Sequence, residues 1–306
     1  LKQQRGDAER RQGIRNALLS SFFLGWAPVL GKLAYSEGVR PFTLAAARTL
    51  VAVLLVWGVV LIFWRSVALR ITWRDLVNCV AVGAVNGVGS LLYYSGLQRL
   101  DASPASFLNT LYPLWVVIFL TASGEPLRRL TLLRLAMALC GIYLLAQTGG
   151  GEPDWLGAML MVASAAAYGW HVVMGQWVLA DVPAPTAAVY VLTGMWVVVG
   201  IARLLQGGAL EPVSGPGWAI ILALGVTTAL SRILMFAGLK RLGGIEASLI
   251  GLLELVVSLG FAFLLLNDRL TPLQWLGGGI LVFGVMLGRR DIGPPRETRR
   301  WWEEEV

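Results

Sequence analysis

GLQRLDASPAS runs from Gly96 to Ser106, and GLKRLGGIEAS runs from Gly238 to Ser248. Six of the eleven aligned positions are identical, at an offset of 142 residues in a chain of 306. The offset is close to half the length, so the two stretches mark the same place in two halves. The similarity continues downstream. LTLLRLAMALCGIYLLA, beginning at Leu130, is answered by LTPLQWLGGGILVFGVML, beginning at Leu270. Two matched regions in corresponding places argue for an internal repeat over a chance match of Leu, Gly and Ala.

The composition says where such a chain lives. Hydrophobic residues make up 57% and charged residues only 14%, with a mean hydropathy of +0.69. A soluble domain carries about 25% charged residues. Long stretches have no charge, as in TLVAVLLVWGVVLIFW from Thr49 to Trp64. Hydrocarbon needs roughly 20 apolar residues in a helix, and only helices or closed barrels satisfy their backbone there. The runs are unbroken rather than alternating, which excludes a barrel. Apolar runs between charged or Gly/Pro punctuation predict ten spans, near 15–35, 42–63, 75–97, 104–122, 130–147, 156–178, 184–204, 218–238, 246–266 and 272–288.

Charge orients these spans. With the N-terminus inside, the inner segments hold 18 Lys and Arg and the outer segments hold 4, namely Arg40, Arg99, Arg203 and Arg269. Cytoplasmic loops carry the excess of basic residues, so both termini are expected in the cytoplasm. The net charge of +7 is thereby read as topology, and no nucleic-acid partner is expected. Five spans per half is an odd number, so the second half enters the membrane from the other side. The predicted fold is an all-α membrane protein, ten transmembrane helices in two inverted five-helix repeats. Its parts are a cytoplasmic segment 1–14, a first repeat 15–147, an external linker 148–155, a second repeat 156–288 and a cytoplasmic tail 289–306. The first apolar run lacks a cleavage site and reads as an uncleaved helix, while the missing initiator Met suggests a trimmed terminus. Inverted repeats are typical of secondary transporters, which hold substrate near the midplane between the halves.

Several motifs carry a family resemblance. GWAPVLGKLA contains Gly25, Trp26, Pro28 and Lys32; LAAARTL contains Arg48; ASFLNTLYPLW contains Pro113; and SGEPLRRLT contains Glu125. In the second half ASLIGLLELVVSLGFAFLLLNDRLT follows the same order, with Leu255 in place of a proline and Asn267-Asp268 in place of a Glu. From about 15 to 288 the chain resembles the drug/metabolite transporter superfamily with its EamA-type repeats. The aromatic-rich YPLW and YGWHVVMGQW look like the YddG-type amino acid exporters. The resemblance implies alternating-access export of amino acids, aromatic and other neutral ones, across a bacterial inner membrane. The alternative it leaves is export of another small metabolite or drug. It also implies a basket of helices around a central cavity. The partners expected are the amino acid and the lipid bilayer, for a monomer or weak homodimer, and no cofactor is implied.

The cavity wall is sought where polar and aromatic residues share a stripe at i, i+3, i+4, i+7. The candidates are Trp26, Asn86, Ser90, Tyr93, Tyr94, Asn109, Tyr112, Trp115, Ser164, Tyr168, His171, Trp177 and Ser231. Glu254 and Arg232 are candidate coupling or ion-pair residues, because a charge inside a span needs a partner or a function. His171, the only histidine, reads either as a substrate or proton ligand or as a structural hydrogen bond. Lys32 and Arg48 read as snorkelling or structurally paired, or as an anchor for a substrate carboxylate. Pro28 and Pro113 are candidate hinge or packing residues. Trp64, Trp73, Trp155, Trp218 and Trp275 fall at span ends and read as interfacial anchors.

Other classes lack their chemistry. Cys79 and Cys140 have no CxxC or Cys/His spacing, so neither a metal site nor a disulfide is expected. No GxxxxGK[ST] is present for ATP, and no HExxH for a zinc protease. Ser90 with His171 is a poor match to a serine intramembrane protease, and the protein is not expected to be an enzyme.

Overall fold

In the computed structural model, residues 2–65, 71–122, 129–146, 154–207 and 212–287 are described. Glu125, the 148–153 part of the linker and the 289–306 tail lie outside them. The described helices are α1 (Lys2–Leu24), α2 (Ala27–Ser36), α3 (Pro41–Phe63), α4 (Trp73–Arg99), α5 (Ala102–Asn109), α6 (Tyr112–Thr121), α7 (Arg129–Ala146), α8 (Trp155–Asp181), α9 (Ala184–Leu205), α10 (Gly215–Ile250), α11 (Leu253–Leu266) and α12 (Pro272–Met286). No strand occurs among the described residues. Residues 2–14, read as a polar N-terminal segment, are helical and continue into the first apolar run. Gly13 there lies against Leu242, and Arg10 pairs with Glu246 at 2.6 Å.

Proline and short polar residues start many of these helices. Proline opens α2, α3, α6, α9 and α10, where its missing N–H costs nothing. Thr72, Asp154 and Ser214 cap α4, α8 and α10 by accepting from the N–H three residues on, at 3.2, 2.7 and 3.0 Å. Burial pushes the Asp154 carboxyl up, but the Gly157 N–H and the Arg99 guanidinium at 3.0 Å outweigh it and hold it below the usual carboxylate range.

Three breaks and one kink shape the bundle. The first break, at Gly25–Trp26, separates α1 from α2; the second, at Thr110–Leu111, separates α5 from α6. Pro28 and Pro113, both buried, sit in the turn after each break, where each removes one backbone donor. The third break, at Gly251–Leu252, has Leu255 where the first half has proline. The break carries a glycine because a Cβ on Gly251 would overlap the Tyr112 hydroxyl. The kink is at Gly243 (φ 76°, ψ 169°), a conformation open essentially to glycine alone. It divides α10 between the eighth and ninth expected spans, and Gln176 Oε1 accepts from the Gly244 N–H at 2.5 Å beside it.

Seven helices are long and apolar enough to cross a membrane, by length and composition, among them Ala8–Ser36, Ala102–Leu120 and Gly215–Ile250. Shorter apolar helices lie at Ala136–Leu145 and Leu253–Leu266. Of the ten expected spans, the eighth and the start of the ninth lie on the one helix through Gly243, which leaves Leu253–Leu266 short, and the described apolar parts of the fifth and tenth are also short. The most extensive packing is of α1 on α10 and of α4 on α8; α9 packs on α4, α10 on α3, α9 on α3 and α12 on α7. Outward residues such as Ile62 (75% exposed) and Leu205 (82%) make an apolar surface that a bilayer covers. Trp64, Trp73, Trp155, Trp218 and Trp275 are all exposed.

One buried hydrogen bond offers a direct check on this packing. Ser106 Oγ on α5 lies 2.5 Å from Ser258 Oγ on α11. In a protein cleared of Cys79 and Cys140, the pair Ser106→Cys and Ser258→Cys is expected to crosslink spontaneously under mild oxidation. A gel-mobility shift reversed by reductant reads it out, and no shift would mean that α5 and α11 are not in contact.

Candidate functional site

The three helix breaks converge on one cavity. Leu24 and Ala27 flank the first break, Asn109 precedes the second and Glu254 follows the third, and all four line it. α3 adds Arg48. α4 adds Asn86, Gly89, Ser90, Tyr93 and Tyr94, and α8 adds Ser164 and Tyr168; Met195 and Arg232 complete the wall. The cavity encloses about 480 Å³ of space between atoms, part of it open to the outside. Breaking a helix exposes backbone polar groups, which is tolerated at membrane depth only where they are buried in protein or line such a cavity.

Two arginines dominate its electrostatics. Arg48 is 5% exposed, so burial excludes the snorkelling reading. Its Nη1 donates to Thr228 Oγ1 at 2.8 Å and its Nη2 to Ser90 Oγ at 2.7 Å, and the guanidinium lies 4.8 Å from the Tyr94 ring centre. Tyr94 is held in turn, its carbonyl accepting from Tyr35 Oη at 2.7 Å. Arg232 is equally buried but more loosely held. Its Nη1 reaches Tyr168 Oη and His171 Nε2 at 3.5 Å and the Met235 sulfur at 3.4 Å, and its Nη2 reaches Asn86 Oδ1 at 3.4 Å. The ring of Tyr168 is 5.3 Å from its guanidinium carbon.

His171 is oriented by these contacts. Its Nδ1 lies 3.2 Å from the Val82 carbonyl, which can only accept, so the proton sits on Nδ1 and Nε2 is left to accept from Arg232. The residue is fully buried and is not in the cavity wall. Its observed contacts are with the Val82 carbonyl and Arg232. Glu254 stands in the first turn of α11, where the helix dipole favours a carboxylate. Asn109 Nδ2 donates to its Oε1 at 3.4 Å. Glu254 forms no ion pair with Arg232 among the described residues.

Of the residues singled out in the sequence, the structure brings Asn86, Ser90, Tyr93, Tyr94, Asn109, Ser164, Tyr168, Arg232 and Glu254 together on the cavity wall. Trp26, Tyr112, Trp115, His171, Trp177 and Ser231 are not in that wall. Trp26 packs on Phe261 with ring centres 3.7 Å apart; Trp115 stacks on Phe119; Trp177 lies edge-on to Trp170. Tyr112 donates to the Ser248 carbonyl at 3.1 Å, and Ser231 to that of Thr228 at 3.1 Å. Lys32 is half-buried within electrostatic reach of Asp101 and Asp268. Arg48, whose sequence reading leaves snorkelling, structural pairing and a carboxylate anchor open, lies in the wall. Leu24, Ala27 and Met195 carry no signal in the sequence.

Comparison with known proteins adds the family. The model of the EamA-like transporter family matches residues 11–147 and again residues 155–288. The chain belongs to the EamA-like transporter family. This EamA-like protein is 26% identical over 301 residues to the uncharacterized transporter YcbK of Bacillus subtilis, covering 91% of this chain and 95% of that one. It is 23% identical over 260 residues to the uncharacterized inner membrane transporter YedA of Escherichia coli, covering 82% of each. A crystal structure of 22% identity superposes with a TM-score of 0.65, over 91% of this chain and 98% of the other, and shares its fold. The protein is thus a multi-pass membrane protein of a transporter family, with a small-molecule substrate and the bilayer as its partners.

Proposed function

We propose that the protein exports amino acids, aromatic and other neutral ones, from the cytoplasm across a bacterial inner membrane. It does so by alternating access of two inverted five-helix halves, with both termini in the cytoplasm. The observation that carries this is the shared cavity. The first family-matched segment supplies Arg48, Asn86 and Asn109, and the second supplies Tyr168, Arg232 and Glu254. The arginines suit a carboxylate, Glu254 with Asn109 suits an ammonium group, and the tyrosine rings suit an apolar or aromatic side chain at about 0.5–1.5 kcal/mol per ring pair.

The contacts of the glycines support two related halves. Gly25 lies against Val257 and the Glu254 carbonyl, and Gly169 lies against Trp115 and the Tyr112 carbonyl. Gly13 lies against Leu242 and Arg241, and Gly157 against Leu100 and Arg99. In both pairs the partners are 142 positions apart and exchanged between halves. The packing of α1 on α10 and of α4 on α8 exchanges in the same way. A pair of halves that bury the same surfaces on each other can rock about a site between them.

The test is counterflow. Purified protein in liposomes loaded with unlabelled amino acid is offered a labelled panel of aromatic, small neutral, basic and acidic amino acids, with a sugar as control. Saturable uptake of the aromatic and neutral members is expected. Failure of every amino acid to enter would end the amino acid reading and leave another metabolite or a drug as the cargo.

A further inference from the structure

The cavity contains more positive than negative charge. Arg48 and Arg232 face it with Glu254 as the only carboxylate in its wall among the described residues, so the formal charge of that wall is positive even with Glu254 ionised. Neither arginine has an ion-pair partner among the described residues, although both are 5% exposed. In both, the buried Nε–H has no hydrogen-bond partner. A guanidinium donates in a planar fork, and the Nε–H with a neighbouring Nη–H is one edge of it. The Nε–H of each is unused here, and the Nη groups carry all the hydrogen bonds. The Nη groups of Arg48 are tied to hydroxyls at 2.7 and 2.8 Å, whereas the contacts of Arg232 lie between 3.4 and 3.5 Å. Arg48 is therefore anchored, and Arg232 is free to exchange weak neutral contacts for a charged one.

An unpaired cation in a low-dielectric wall is costly, and an incoming anion relieves it. One negative charge neutralises two arginines and one glutamate. A zwitterion does not, and a cation makes the imbalance worse. We infer that Arg232, with Arg48 behind it, is a carboxylate receptor, and that the preferred cargo class is an organic monocarboxylate whose ammonium group is dispensable. The inference rests on the cavity being the substrate site of the proposed transporter. It narrows the chemistry that site selects: the carboxylate is required, and Tyr93, Tyr94 and Tyr168 take the apolar body.

Calorimetric binding to the purified full-length protein tests this with probes of one shape and different charge: phenylalanine, 3-phenyllactate and phenylalaninamide. 3-Phenyllactate is expected to bind at least as tightly as phenylalanine. Phenylalaninamide is expected to bind about 10- to 100-fold more weakly, the worth of one charge-assisted hydrogen-bond pair. Arg232→Gln should remove that preference, and Arg232→Lys should restore part of it. Because the probe series is run on the unaltered protein, a variant that fails to fold does not spoil the test. Phenylalaninamide binding within about threefold of phenylalanine, the two differing only at the carboxyl, would overturn the inference. So would binding of none of the three probes. If 3-phenyllactate binds but no labelled probe enters liposomes, the receptor stands and the transport reading falls. If amino acids are taken up while the amide competes as well as the acid, the transport reading stands and the receptor falls.

Discussion

Gly83→Val will leave little folded protein. Gly83 is where α4 crosses α9, and a Cβ there would run into the Val191 carbonyl and come within 2.8 Å of the Met195 nitrogen and 3.0 Å of Gly194 Cα. All three are backbone atoms, so no rotamer change can relieve the clash. Small residues at helix crossings are what lets membrane helices approach closely enough to hold by van der Waals contact. Overpacking costs typically 1–3 kcal/mol where side chains can adjust, and here the helices themselves must separate. The mirrored position, Gly225, meets chiefly the Val51 side chain and is expected to suffer less from the same change. Gly200→Val is the control, because nothing lies within 4 Å of its would-be Cβ. Size-exclusion profiles and thermal midpoints in detergent will show the Gly83 variant aggregated or strongly destabilised and the Gly200 variant near the parent. Equal midpoints for the two would contradict the α4–α9 crossing.

Glu254→Gln is expected to tighten anion binding and flatten its pH dependence. Glu254 supplies the only negative charge in the cavity wall among the described residues, so neutralising it raises the formal charge of the cavity by one. At an effective dielectric near 20 and a separation of about 7 Å, one charge is worth about 2 kcal/mol, roughly 30-fold in affinity. Protonating Glu254 has the same sign, so in the parent protein anion binding should strengthen as pH falls, and the Gln variant should hold the low-pH affinity throughout. The charged and titratable groups around it are Arg48 on α3, Tyr93 and Tyr94 on α4, Tyr112 on α6, Tyr168 on α8 and Arg232 on α10, with His171 of α8 behind Arg232 and the uncharged Asn109 amide of α5 donating to it. Binding of 3-phenyllactate measured from pH 5 to 8 decides it. A variant with the parent's slope would place the titrating group elsewhere.

The sequence recorded the halves because hydrophobic periodicity and loop charge are local properties. The repeated stretch at Gly96 and Gly238, the apolar runs and the helix starts at Pro41, Thr72 and Ser214 are all legible without neighbours. The stripe Asn86, Ser90, Tyr93 and Tyr94 was legible for the same reason, since one helix face needs only the period of 3.6. Which candidates face the cavity depends on their packing partners, most of them on other helices. Trp26 and Trp115 are aromatic and near a break, yet each is turned into packing by a partner, Phe261 and Phe119, that lies well along the chain or on the next turn. His171, a lone polar group at mid-span, reads in sequence either as a ligand or as a structural hydrogen bond; Val82 and Arg232, on two other helices, lie within hydrogen-bonding distance of its two ring nitrogens.

Membership of the bilayer, the internal repeat and the identity of the in-span charges were determined by the sequence alone. Tertiary structure decided which of those charges share a cavity and which have partners. Arg48 and Arg232 are 184 residues apart. Their meeting across the cavity, and the failure of Glu254 to pair with Arg232, depend on how α3, α10 and α11 cross. That crossing is set by close backbone approaches such as Gly25 on the Glu254 carbonyl and Gly225 on the Arg48 carbonyl. Such approaches are contacts between atoms far apart in sequence, and no local pattern encodes them.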